Sequence, residues 1–281
     1  MFFGNYRVEV IPDCEFRLDG GAMFGVVPRN LWARLNPPDD QNRIRMNMNC
    51  LFIEADGERI LIDTGIGEKW SEKHRAMYGI NRTRSFDESL KAIAGVAATD
   101  ITIVINTHLH FDHAGGNTRI ENGRAVPTFP RARYVVQRRE LEHAATPTER
   151  DRASYFPENF QPITDAGLWN LVDGDTQILP GISVAGIPGH NADIQAVVLS
   201  GGGKTLAFVA DLLPTRHHIP LPWIMAYDLY PLQTLETKRK WVPRMAKEHW
   251  MVVFGHDPDV AAATLHERDG KIEFEPVDLN R

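Results

Sequence analysis

Eight short apolar, β-branched runs punctuate the chain: Cys50–Ile53, Ile60–Ile62, Ile101–Ile105, Tyr134–Val136, Ile182–Ile187, Ala196–Leu199, Leu206–Val209 and Met251–Phe254. Runs this short, without polar alternation, read as strands buried on both faces. Helical stretches lie between them. Ser85-Phe86-Asp87-Glu88 is a capping-box pattern followed by apolar Leu90, Ile93 and Ala94. Pro231 is placed to open a second helix with Leu232, Leu235 and Trp241 turned inward, and Pro243 is expected to kink or restart it. Strands in groups with helices between groups imply sheet layers covered by helices, an α/β or α+β class with strong antiparallel content.

At 281 residues the chain can bury a core without disulfides or a structural metal. No repeat or long linker divides it, so residues 1–281 are expected to form one domain. The two cysteines, Cys14 and Cys50, make no metal or redox pattern and are expected to be plain thiols. Arg7 and Glu9 interrupt any secretory signal, and no apolar run approaches membrane-spanning length, so a cytoplasmic protein with no membrane contact is expected. A net charge of −6 offers no general footprint for nucleic acid, and none is expected as a partner.

Directly after Ile101–Ile105 comes Asn106-Thr107-His108-Leu109-His110-Phe111-Asp112-His113-Ala114-Gly115-Gly116. Positions i, i+2, i+4 and i+5 do not share a helix face, so an ordered loop must present them. Imidazole and carboxylate suit zinc, iron, manganese or cobalt, and four donors in six residues exceed what one tetrahedral ion takes from one segment. Two adjacent ions are suggested. Three other runs also end in a donor: Ile182–Ile187 leads to His190, Leu206–Val209 to Asp211, and Met251–Phe254 to His256. Singly these are weak signals. If the strands carry them to one edge, five histidines and two aspartates converge, enough for two ions sharing a carboxylate.

This ordered series, with Ile60-Leu61-Ile62-Asp63-Thr64-Gly65, resembles the metallo-β-lactamase superfamily across nearly the whole chain. The resemblance implies a four-layer αβ/βα sandwich, two packed mixed sheets with helices outside and a metal site at one edge. It implies that His108, His110 and His190 hold one divalent ion, that Asp112, His113 and His256 hold the other, and that Asp211 bridges them. Zinc is the expected metal. Asp63 is expected to support a ligand histidine from behind, not to ligate.

The segments Asp19–Pro28 and Pro214–Pro231 resemble the quorum-quenching N-acyl-homoserine lactonase branch, especially its YtnP-like members. That likeness implies a hydrolase opening lactones or related esters through a metal-bridging hydroxide, with Asp112 and Asp211 catalytic. Organophosphate (phosphotriester) hydrolysis is the alternative, followed by thioester hydrolysis and a di-iron redox protein. The branch's tyrosine shortly after the bridging aspartate is missing, because Asp211 is followed by Leu212-Leu213-Pro214. His218, Tyr227 and Tyr230 are the candidates to replace it. Met23, Phe24, Trp223, Ile224 and Met225 are expected to wall a small-molecule acyl site or, on the bland alternative, a core or homodimer contact.

Overall fold

A computed structural model describes residues 1–281. All eight apolar runs lie within or across strands. One sheet orders Phe2–Phe3, Tyr6–Asp19, Arg43–Ala55, Glu58–Ile62, Ile103–Ile105, Arg133–Gln137 and Trp169–Val172. Its first four strands pair antiparallel and the rest parallel. The other orders Thr176–Leu179, Ile182–Gly186, Gln195–Gly201, Lys204–Phe208, Met251–Val253, Ala262–Arg268 and Lys271–Pro276. There only Lys204–Phe208 and Met251–Val253 run parallel. The fold is an α/β sandwich of two mixed sheets with helices, the class expected from the sequence.

The two-residue period of the strands divides the core. Ile60, Ile62, Ile103 and Ile105 point into a cluster shared with Val184, Leu206, Phe208 and Val252 of the opposite sheet. Their neighbours Leu61 and Val104 point the other way, onto Phe86, Leu90 and Ala94 of helix Phe86–Ile93. Each fully buried aliphatic side chain contributes roughly 1.5–3 kcal/mol. The capping box is present, with Ser85 Oγ accepting from Glu88 N and Glu88 Oε2 accepting from Ser85 N.

Helix Pro231–Lys247 passes through Pro243 without restarting. The carbonyl that loses its partner there belongs to exposed Arg239, where water can satisfy it. Leu232 is not inward: it is 78% exposed, and the buried face consists of Thr234, Thr237, Lys238, Trp241, Val242 and Met245. Several strands lay outside the apolar runs. Tyr6–Asp19 carries Arg7, Glu9, Asp13, Glu15 and Arg17, which break up its apolar pattern, and the edge hairpin Ala262–Pro276 is charged and half-exposed, as solvent-facing edges are. No helix is long and apolar enough to cross a membrane. Cys14 and Cys50 are buried and free.

Candidate metal centre

Strand direction brings the donors together. Glu58–Ile62 and Ile103–Ile105 run parallel, so Asp63 and the His108 loop leave the first sheet at one end. In the second sheet Ile182–Gly186, Lys204–Phe208 and Met251–Val253 point one way, delivering His190, Asp211 and His256 to one end of theirs. The chain makes sharp exits here: Asp63 and Ala210 have φ of 53° and 42°, left-handed conformations that cost non-glycine residues about 1 kcal/mol or more. Gly115 and Gly116 are dictated by close approach, since a Cβ on either would collide with the carbonyl oxygens of Ile66 and Thr64.

The donor atoms form three overlapping groups, each within 4.8 Å: His108, His110 and His190; His108, His113 and Asp211; Asp112, His113 and His256. All are buried. Asp211 lies between the halves. Its Oδ2 is 3.2 Å from His190 Nε2, and its Oδ1 is 3.1 Å from His256 Nε2 and 3.4 Å from His113 Nε2. Asp112 Oδ2 is 3.6 Å from His256 Nε2.

The rear nitrogens have partners of their own. His113 Nδ1 is 2.8 Å from Asp63 Oδ2, and the same carboxylate accepts from Thr107 N and Oγ1, both at 2.8 Å. His190 Nδ1 is 2.9 Å from Asp228 Oδ1, whose other oxygen accepts from Thr234 Oγ1 at 2.6 Å. His256 Nδ1 donates to Asn47 O at 3.2 Å. Such partners fix ring orientation and tautomer.

These residues fit divalent ions. His108 Nε2, His110 Nε2 and Asp211 Oδ1 are buried and hydrogen-bond to nothing, an arrangement whose desolvation penalty a cation would relieve. Burial and the surrounding imidazoles push His108 and His110 well below the ordinary histidine range, leaving them neutral as ligands must be. Burial also opposes charge on His113, but Asp211, Asp112 and Asp63 outweigh it and hold this ring well above its usual value.

The pattern decides the family. Residues 44–256 match the model of the metallo-beta-lactamase superfamily. The chain belongs to that superfamily. It is a hydrolase of a superfamily that binds divalent metal ions. Among its relatives, N-acyl homoserine lactonase AiiA of Bacillus thuringiensis subsp. kurstaki is 25% identical over 220 residues, covering 74% of this chain and 80% of that protein. A probable metal-dependent hydrolase from Staphylococcus aureus has a similar structure, with TM-score 0.90, 28% identity and 99% of each chain covered. The dizinc quorum-quenching lactonase AidC, solved in complex with a product, shares the fold at TM-score 0.81 and 19% identity, over 99% of this chain and 96% of that one.

A cavity of about 270 Å³ opens over this centre. His110, Asp112, His190, Asp211 and His256 line it with Met23, Met225 and Tyr227, and its wall is completed by Leu18, Tyr78, Phe111, Ala226 and Leu229 and by the polar stretch Arg150, Asp151, Ala153 and Ser154. Phe24, His218, Trp223, Ile224 and Tyr230 do not reach the cavity. Phe24 is fully buried, stacked on His218 and set edge-on to Trp223, so these three support the wall from behind. Both nitrogens of His218 are committed, Nδ1 to Thr215 Oγ1 at 2.8 Å and Nε2 to Met23 O at 2.9 Å. Burial lowers its pKa to about 3. Sequence reasoning missed Tyr78, which no motif marks, and Asp228, whose only signal is its place in the Pro214–Pro231 segment.

Proposed function

We propose that the chain is a dinuclear metal-dependent hydrolase opening lactones or closely related small esters. His108, His110 and His190 would hold one ion, Asp112, His113 and His256 the other, and Asp211 would be shared. Two such ions, zinc by the borderline preference of imidazole and carboxylate, would supply a nucleophile from water near neutral pH and polarise a carbonyl. The observation that carries the reading is Asp211, with one oxygen toward His190 and the other toward His113 and His256.

The chain's own residues account for the rest. Leu18, Met23, Phe111, Met225 and Leu229 offer an apolar surface to an acyl chain and exclude water from the reacting carbonyl. Asp112, which lines the cavity, would pass a proton to the departing alkoxide. Tyr227, with Tyr78 on the same cavity, supplies the phenol that the Asp211-Leu212-Leu213-Pro214 stretch lacks. A volume of about 270 Å³ favours compact substrates. The lactonase activity named for AiiA and AidC supports the same reading.

The test is a panel of N-acyl-homoserine and simple lactones against an aryl phosphotriester, with metal content measured. Higher kcat/KM for lactones, abolished by chelation and restored by divalent metal, is expected. Preference for the phosphotriester, or turnover indifferent to chelation, would overturn the assignment.

A further inference from the structure

A second buried carboxylate stands behind the His108–His110–His190 half of the centre. Strand Arg133–Gln137 pairs with Ile103–Ile105, so helix Arg138–Ala145, which follows it, begins beside the loop carrying His108 and His110. Its first turn buries Glu140, only 1% exposed. Glu140 Oε1 accepts from Leu109 N at 2.8 Å and from Tyr155 OH at 3.1 Å, and Oε2 accepts from Asn191 Nδ2 at 2.9 Å. Leu109 sits between His108 and His110, Asn191 follows His190, and the Tyr155 ring lies edge-on to His110 with centroids 4.7 Å apart. Asn191 is oriented for this role, since its Oδ1 accepts from Asp193 N at 3.1 Å.

Glu140 accepts from no lysine or arginine, and burial pushes its pKa up to about 7, the sign of a costly buried acid. Filling space alone would not require it. What the carboxylate does is accept from two distant segments at once, holding the loop of His108 and His110 at a set spacing from that of His190. Asp63 instead serves His113 and Thr107, and Asp228 serves His190 alone among the ligands. Of these carboxylates only Glu140 accepts from both loops, that of His108 and His110 and that of His190, and it makes no hydrogen bond with Asp112, His113 or His256.

We propose that Glu140 is a positioning residue for the His108–His110–His190 pocket, so that one of the two ions depends on it and the other does not. This rests on the dinuclear reading above. Glu140→Gln replaces an acceptor oxygen and sets an amide NH2 against one of three donors. Glu140→Gln combined with Asn191→Asp restores a donor–acceptor pair across the same hydrogen bond.

Zinc stoichiometry and affinity are measured by titrating chelator-stripped protein, and the visible spectrum is recorded with cobalt(II). Wild type should bind two ions. Glu140→Gln should keep one at wild-type affinity and bind the other roughly 10–100-fold more weakly, as loss of a ligand's outer partner does. Its cobalt spectrum should lose one component, and the double variant should recover it. If Glu140→Gln does not fold, Tyr155→Phe carries the test, with a smaller loss in the same ion. Two ions bound as in wild type, or both weakened equally, would overturn the positioning role while leaving the dinuclear reading intact. Fewer than two ions on wild type would overturn the dinuclear reading itself.

Discussion

Asp211 is the residue on which the centre turns. It lies beside three histidines and has one oxygen without a hydrogen bond. Asp211→Ala should lower metal content from two ions to one or none and reduce kcat by at least ~100-fold, checked by elemental analysis alongside turnover. Unaltered metal content would refute its bridging place. His218 yields a different prediction. Its folded pKa, lowered to about 3 mainly by burial, lies below its unfolded value of about 6.5. Between those values the unfolded chain binds a proton that the native chain does not. Stability must therefore fall as pH drops through that window, by about 1.4 kcal/mol per unit once well below 6.5. Denaturant melts of wild type and His218→Gln should converge by roughly 1–2 kcal/mol between pH 7 and pH 5. Parallel curves would show that the ring titrates normally.

Among the elements, helix Pro231–Lys247 controls the segment over the cavity. Lys238 is fully buried, and its Nζ donates to the carbonyls of His218, Pro220 and Trp223 at 2.6, 2.8 and 2.8 Å. These donations tie down the stretch that leads to Met225 and Tyr227. Lys238→Met leaves three carbonyls short of a donor, each worth about 1–3 kcal/mol if it stays buried. The expected result is a lower melting temperature and a several-fold rise in KM with a smaller change in kcat, read from steady-state kinetics on a lactone. A fall in kcat at constant KM would contradict this. Helix Phe86–Ile93 tests the outer layer: Leu90→Ala should cost about 2–5 kcal/mol in denaturant unfolding with metal stoichiometry unchanged, because its contacts lie on the far face of the first sheet.

For the whole molecule, the two sheets are joined by an apolar core in which Ile60, Ile103, Leu206 and Val252 cluster, none of them a donor. Chelation should leave far-ultraviolet circular dichroism unchanged while lowering the melting temperature. Saturating ion at ~1,000 times its Kd adds back about 4 kcal/mol. Collapse of secondary structure on chelation would mean that the ions hold the fold together.

Local pattern was enough for much of this. Buried strands show in the sequence as continuous apolar runs, because both faces are covered, and ligand types show because metals accept few side chains. Thus the run Ile101–Ile105 followed by His108, His110, Asp112 and His113 could be read from neighbouring residues alone, and so could the Ser85–Glu88 cap. What the sequence leaves open is anything set by distance across the fold. Tyr78 reaches the cavity, Glu140 spans Leu109 and Asn191, and Lys238 gathers three carbonyls, yet each looks like an ordinary surface residue in its own stretch of chain. His218 looked available and is enclosed. A side chain's type is local, whereas its solvent, neighbours and direction arise only when remote segments pack, and those decide whether it binds, supports or merely fills space.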